Sequence, residues 1–358
     1  MTLSVDFVIA VHDPRRPVLR ALDSVLASGR DDVRVTVVCH GITPEDVPGL
    51  RERECELVRL VSFSDGIPSP AGPFNHGLDL ATAEFVGVMG SDDWLAPGAL
   101  DAWIKQCTDR ELDLLFAGLQ HQGGAPVRNP PVRPWRRNRL NPRKDRLFAR
   151  AAPLGLIRRE LVETPRLRFA EGLRTGEDIP FTTELLGRAQ RIGAAFNTPR
   201  YVIGADAETR VTAAPHTVET VLVPVLAVFE SEWFAAMPQA LRTAAATARV
   251  RGSVLAHTVT RRDPSEWDLS GLECIRAALI ACSSLAPDAL EPFPEADRRL
   301  LEALERTVRT GPEAAEAVAQ WHAASRRDHL LPRKLGYAFH RESTIVRYVG
   351  YALARVGA

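Results

Sequence analysis

Several absences narrow the reading before any motif is considered. No apolar run in the 358 residues is long enough to span a bilayer as a helix. The N-terminus lacks the basic region and long apolar run of a signal peptide and enters LSVDFVIAV almost at once. No C-x-x-C pair occurs. The five cysteines (Cys39, Cys55, Cys107, Cys274, Cys282) are scattered and odd in number. That argues against a disulfide framework or a zinc site and for a reducing compartment. Net charge is also missing: 45 Lys and Arg balance 45 Asp and Glu, so nothing global attracts a polyanion and nucleic acid is not an expected partner. No Gly-rich phosphate loop follows the first apolar run, where HDPRRP stands, which disfavours a nucleotidyltransferase. No internal repeat is evident. The expected location is cytoplasmic, with peripheral contact at the inner face of a membrane as a further expectation.

What is present is an ordinary globular composition, 45% apolar and 25% charged, in a chain long enough for a large domain and a substantial appendage. The first half alternates short Val- and Ile-rich runs with helical spacing. VDFVIAV (5–11), VRVTVVC (33–39), LVRLVSF (57–63) and FVGVMG (85–90) read as strands, and DLLFAGLQH (113–121) as a further one. Helical patterns fall near 17–28, through Leu78, Leu80 and Ala81, after Pro97, and along IPFTTELLGRAQ. This alternation predicts an α/β fold with a mostly parallel central sheet flanked by helices. From about His216 the texture is helical to the end, which predicts an all-helical C-terminal region. The expected division is residues 1–212 for a catalytic domain and 213–358 for the helices, serving acceptor, oligomer or membrane contact.

In open α/β sheets, ligands bind beyond the carboxyl ends of the strands. The strand ends here read Val11-His12-Asp13-Pro14, Cys39-His40-Gly41 and Gly90-Ser91-Asp92-Asp93. Adjacent carboxylates after a buried strand suit a hard divalent ion that shares phosphate oxygens. Capping the helix that starts near Pro97 explains them about as well.

Flanking residues tip that balance. SPAGPFNHGLDLATAEFVGVMGSDDWLAPGAL resembles the family 2 glycosyltransferases of the GT-A fold, with Ala71, Asn75, Gly77, Ala81, Asp92, Asp93, Leu95, Pro97 and Leu100 at matching places. VDFVIAVHDPRRPVLRALDSVLAS and VRVTVVCHGITPED are similar to that family's first strand-helix and second strand-loop, and FAEGLRTGEDIPF to its later acidic motif. The resemblance runs in order over about residues 1–210. It implies a sugar transfer with inversion from a nucleotide-diphosphate sugar, UDP-linked by preference, assisted by Mg²⁺ or Mn²⁺. It places the base at Asp178, with Glu177 lining the acceptor side or orienting it. Donor contacts are implied at Ala10, His12, Asp13, Cys39, Asn75, Ser91, Asp92, Asp93 and Arg210, and metal contacts at Asp92, Asp93 and His216. The acceptor would be a glycan, polymer or lipid-linked molecule of the cell envelope. Asp178 also suits an N-cap to a helix beginning at Pro180.

The chain departs from the pattern at three places. Gly90 stands where the first acidic residue is usual, Cys39-His40-Gly41 replaces an acidic pair near the nucleobase, and His12 takes a place where it would supply a stacking ring. Taken alone, His12 reads as a buried core histidine, and Cys39 as a small buried hydrophobe. These departures keep a second class open, a non-catalytic sugar-nucleotide or glycan-binding module on the same fold. Residues 126–150 are Pro-rich and basic around the single acid Asp145, with Trp135 embedded, and read as a long loop that either receives an anionic acceptor or is simply solvated. The tail from Leu331 reads as a basic amphipathic helix, suited first to packing on its own domain, then to homo-oligomer formation, then to a membrane surface.

Overall fold

The computed structural model describes residues 3–133, 139–206 and 216–356. Its framework is a seven-stranded sheet. In chain order the strands are β1 (Val5–Val11), β2 (Val33–His40), β3 (Val58–Phe63) and β4 (Phe85–Gly90), then β5 (Trp94–Leu95), β6 (Leu114–Ala117), β7 (Leu119–His121), β8 (Gly155–Arg158), β9 (Ile192–Ala195) and β10 (Tyr201–Ile203). The large sheet runs β3-β2-β1-β4-β8-β6-β9, and β5-β10-β7 form a small second sheet. β1 pairs in parallel with both β2 and β4, and β8 runs antiparallel to β4 and β6. The expected mostly parallel sheet is therefore present.

Helices cover both faces, and strand alternation decides what each face buries. Phe7, Ile9, Val35 and Val37 pack under α1 (Val18–Leu26), while Val8 and Val38 pack under α2 (Ala71–Asp79). α3 (Ala99–Asp109) joins the first face through Trp103 and Ile104. The approach of α2 is close: a Cβ on Gly77 would lie 2.2 Å from a methyl of Val8, so only glycine fits there. After the short α4 (Glu160–Glu163), α5 (Asp178–Arg188) supplies Phe181, Leu185 and Leu186 to the second face.

The C-terminal region is helical, as expected. It comprises α6 (Val218–Phe229), α7 (Glu232–Ala236) and α8 (Gln239–Arg249), which continues through a π-helical segment (Val250–Leu255) into α9 (Ala256–Thr258). α10 (Leu269–Leu285), α11 (Glu295–Arg306), α12 (Gly311–Ala323), α13 (Arg326–Leu330) and α14 (Thr344–Val356) follow. Leu222 and Val225 of α6 share one apolar core with Phe181 and Leu185 of α5. The 212/213 division falls among residues 207–215, outside those described.

Two local expectations change. The run 113–121 divides at Gly118 because the chain leaves the large sheet there and passes close to Ala195 and Phe196. Within 126–150, apart from Trp135 and its neighbours outside the described residues, the loop is built around one fully buried carboxylate. Asp145 accepts from the Arg133 backbone N–H and guanidinium and from the Asn141 backbone N–H, while Leu140, Leu147 and Phe148 are buried. A buried carboxylate needs this many donors, which explains the order.

Candidate active site

The reversal of strand order between β1 and β4 opens a crevice at their carboxyl ends. A cavity of about 750 Å³ occupies it. That is within the range of roughly 300–1,000 Å³ typical of small-molecule sites. It is lined by Val88, Met89 and Gly90 of β4, by His40 and Gly41 after β2 with Ser64, Gly66 and Ile67 after β3, and by Phe74, Phe169, Glu177 and Asp178.

At the β4 end the adjacent aspartates do different work. Asp92 is buried and forms a 2.6 Å ion pair with Arg16, whose Nε–H donates to the Ser91 hydroxyl at 2.7 Å. Asp93 turns the other way. Its Oδ2 accepts from the Tyr201 hydroxyl at 2.5 Å and its Oδ1 from the Gly204 N–H at 2.8 Å, tying the β4–β5 connection to β10. Burial pushes its pKa up to about 6 against these two bonds. The backbone approaches closely here: a Cβ on Gly204 would sit 1.9 Å from the Asp92 carbonyl oxygen. Arg20, one turn along α1, donates to that same carbonyl, pairs with Asp206 and lies 4.1 Å over the Trp94 ring.

His12 is exposed on the cavity rim rather than buried in the core. Partial desolvation and then the Arg16 cation hold its pKa below the usual imidazole value, which leaves a neutral ring near pH 7. Beside the Cys39-His40-Gly41 turn a carboxylate comes from the neighbouring strand: Asp65, just after β3, meets His40 Nε2 at 2.8 Å, and Phe63 packs between the rings of His40 and His76.

The helix α5 begins at Asp178 rather than at Pro180, with Glu177 in the cap position and no side-chain cap bond, and the Asp178 carboxylate lies against the backbone N–H groups of Asp178 and Ile179 in the first turn. Gly176, at φ 75°, makes the turn into the helix. Burial raises the pKa of both carboxyls, and the negative charge of Asp178 raises Glu177 further. Arg249, buried in α8, is the cation that opposes the rise at Asp178. The aromatic wall beside them is firm, with Phe169 and Phe181 stacked at 4.2 Å and Phe74 5.3 Å from Phe169.

Ala10, His12, Ser91, Asp92, Asp93, Glu177 and Asp178 thus line one cavity, whereas Asp13, Cys39 and Asn75 stand outside its lining. Asp13 is held by Arg15, which draws its pKa down to about 2. Cys39 is fully buried and its thiol is pushed up to about 11, which makes it inert packing. Asn75 clamps the acceptor-side segment instead, exchanging bonds with the Phe169 backbone and donating to Glu171. His216 is not brought to Asp92 and Asp93. Its carbonyl accepts from Arg261 beside His257. Arg210 lies outside the described residues. Arg16, Asp65 and Tyr201 are the residues that sequence reasoning missed. No grouping of three His, Cys, Asp or Glu able to hold a metal exists among the described residues. The donor set fits a divalent cation poorly: Asp92 is paired with a guanidinium, each Asp93 oxygen already accepts a hydrogen bond from Tyr201 or Gly204, and Gly90 offers no side chain.

Comparison with known proteins agrees with the sequence pattern. Residues 6–164 match the model described as glycosyl transferase family 2. The Bacillus subtilis glycosyltransferase EpsJ is 22% identical over 200 residues, covering 52% of this chain and 57% of its own length. The succinoglycan biosynthesis protein ExoO of Rhizobium meliloti is 28% identical over 190 residues, 49% of this chain and 53% of its own. The poly(ribitol-phosphate) beta-glucosyltransferase of Bacillus spizizenii is 20% identical over 209 residues, 56% of this chain and 32% of its own. The chain therefore spans about half the length, or less, of these curated relatives. In structure it is similar to residues 1–349 of S. aureus TarS in complex with UDP-GlcNAc, with TM-score 0.73, 14% identity, and 90% of this chain and 92% of that one covered. The complex of the same TarS segment with UDP gives a TM-score of 0.68 over the same shares. The match to glycosyl transferase family 2 thus covers residues 6–164, in a chain whose fold is GT-A-like.

Proposed function

We propose that this protein is an inverting glycosyltransferase that moves a sugar from a nucleotide-diphosphate sugar, UDP-linked by preference, to a hydroxyl of a cell-envelope glycan or polymer. One observation carries this reading. A single cavity is lined both by the charged groups at the β1/β4 reversal and by two carboxyls whose pKa values are raised. An acceptor O–H attacks the anomeric carbon while the bond from that carbon to the diphosphate oxygen breaks, its electron pair leaving with the nucleoside diphosphate. The acceptor proton passes to the Asp178 carboxylate, whose raised pKa suits it to a base near neutral pH. Glu177 orients Asp178 or the acceptor, and the Phe74–Phe169 wall gives the acceptor an apolar surface. His40 with Asp65 meets the base, and His12 offers its neutral ring at the rim. The TarS complexes with UDP-GlcNAc and UDP support a uridine donor, and the names of ExoO and the poly(ribitol-phosphate) enzyme support an envelope polymer as acceptor.

Family 2 enzymes of this fold generally use a divalent metal, whereas here Asp92 is paired with Arg16 and both Asp93 oxygens accept hydrogen bonds. No helix among the described residues is long and apolar enough to cross a membrane. We place the chain in the cytoplasm, peripheral to the inner membrane face. One side of α14 meets Pro131, Arg128 and Arg146, which leaves Tyr348, Val349 and Leu353 exposed as a surface for self-association.

The reading is tested by thermal melting with UDP, GDP and dTDP, each with and without Mn²⁺. At a ligand concentration of 100 Kd, stability rises by about 2.7 kcal/mol, a readily measured shift. UDP is expected to raise the melting temperature most. A chain that none of the three stabilises is not this enzyme.

A further inference from the structure

We propose that the Arg16 guanidinium is the cation that receives the charge of the departing nucleoside diphosphate, in the place this family generally gives to a divalent metal. The inference rests on the glycosyltransferase reading above. Arg16 leaves the β1–α1 connection and enters the cavity between β1 and β4, where a diphosphate bound at the strand-order reversal would lie. It is positioned rather than loose. Nε–H donates to Ser91, one amino group pairs with Asp92, and its side chain is only 11% exposed. Pro17 follows it directly and α1 starts one residue later, so the backbone behind the side chain is stiff. A guanidinium anchored by a hydroxyl at Nε and a carboxylate oxygen at one amino group is held in place to meet phosphate oxygens, because its five N–H donors form a planar fork. In so sheltered a place its charge acts more strongly than it would in water.

The surrounding carboxylates agree with this division of labour. Asp92, the expected metal ligand, acts as a positioning residue for Arg16. Asp93 spends both oxygens on Tyr201 and Gly204. The residue in the usual first acidic place is Gly90, and a Cβ there would stand 3.0 Å from an Asp93 oxygen and 3.2 Å from an Asp92 oxygen. A third carboxylate would crowd negative charge where a single arginine already balances one aspartate. Exchanging that carboxylate for glycine and supplying a guanidinium is the consistent pair of changes. As the bond between the anomeric carbon and the diphosphate oxygen breaks, its electron pair stays on that oxygen and the N–H donors of Arg16 stabilise it. The acceptor proton goes to Asp178, so no metal ion enters the balance.

The test is isothermal titration of the full chain with UDP, GDP and dTDP, and with uridine, guanosine and thymidine, in EDTA and then in Mn²⁺. For the tightest diphosphate, wild-type affinity is expected to change by less than about threefold between the two buffers. Arg16→Gln is expected to weaken that diphosphate by about tenfold or more while leaving the matching nucleoside unchanged. Arg16→Lys, which keeps the charge but loses the fork, should fall between them, and it carries the comparison should the glutamine variant fail to fold. Strengthening of wild-type binding by Mn²⁺ of about tenfold or more overturns the proposal. So does an Arg16→Gln variant that holds the diphosphate as tightly as wild type in EDTA. Either result leaves the enzyme reading standing. Failure of every nucleotide and nucleoside to bind wild type in both buffers removes that reading and the proposal together.

Discussion

Asp178 shows how one side chain can be set up for work at a cost to the fold. Burial raises its pKa despite the opposing charge of Arg249, so folding shifts it toward the protonated form relative to the unfolded chain. Transfer needs the deprotonated form. Activity is therefore expected to fall with acidification through an apparent pKa above the ordinary carboxylate value of about 3.9, with Asp178 and Glu177 titrating as a pair in two steps. Asp178→Asn should keep nucleotide affinity and lose roughly 10²–10⁴-fold in transfer rate, the usual contribution of a positioned base. Its stability should move the other way. Below the unfolded-state pKa both proteins are neutral at this position and melt alike. As pH rises through the raised folded pKa, wild type must hold a buried charge and the variant need not, so the variant becomes the more stable one. An Asn variant that melts below wild type at neutral pH, or that still transfers sugar, removes Asp178 from this role. Asp92, Asp93 and Asp178 were legible because short local patterns carry them. Arg16 and Tyr201 were not, since their partners lie 75 and 108 residues away and no local spacing announces such pairs.

The strands and helices of the first half follow directly from composition. Val-rich runs buried on both faces can only be central parallel strands, and the helices between them must cover the sheet. Sequence could not show where the backbone comes closest. Gly77 sits at a family position, yet its reason appears only in the 2.2 Å that a Cβ would leave to Val8. This makes a prediction that opposes helix propensity. In an open helix, Gly→Ala stabilises by up to about 1 kcal/mol. Gly77→Ala should instead destabilise by about 1–3 kcal/mol through overpacking, read as a lowered urea midpoint. Because α2 carries Phe74 and the Asn75 clamp on Phe169, the same change should raise the KM for the acceptor. Val8→Ala combined with Gly77→Ala should recover part of the loss. A single variant as stable as wild type would mean that α2 can lift without consequence. The split of 113–121 escaped the sequence because β7 pairs with β10, which comes much later in the chain, and the fold of 126–150 because it rests on the Arg133–Asp145 pairing twelve residues apart and on a bridge from Leu140 to Ile192.

At the scale of the whole molecule, the site is not the property of the first half alone. The turn that delivers Glu177 and Asp178 rests on the C-terminal helices, since a Cβ on Gly176 would meet Pro224 of α6 at 2.9 Å. Arg249 of α8 is fully enclosed. It donates to the carbonyls of Phe148 and Arg150 and opposes the raised pKa of Asp178 from within the bundle. Arg150, equally buried, donates to the Ala117 carbonyl at the end of β6. A guanidinium desolvated this deeply is tolerated only while its acceptors stay in place, so opening either half strands a buried charge in the other. The apolar core makes the same link, because Leu222, Val225 and Val228 of α6 pack in one cluster with Phe181 and Leu185 of α5. The chain should therefore melt in one cooperative transition whose calorimetric and van't Hoff enthalpies agree, and a bound nucleotide should shift that transition as a whole. A fragment of residues 1–212 would expose the apolar face of α5 and is expected to lose cooperative melting and nucleotide binding together. Two separate transitions, with only the earlier or the later one moved by UDP, would instead show the helices to be an independent domain. The raised pKa at Asp178 would then have to come from the first half alone.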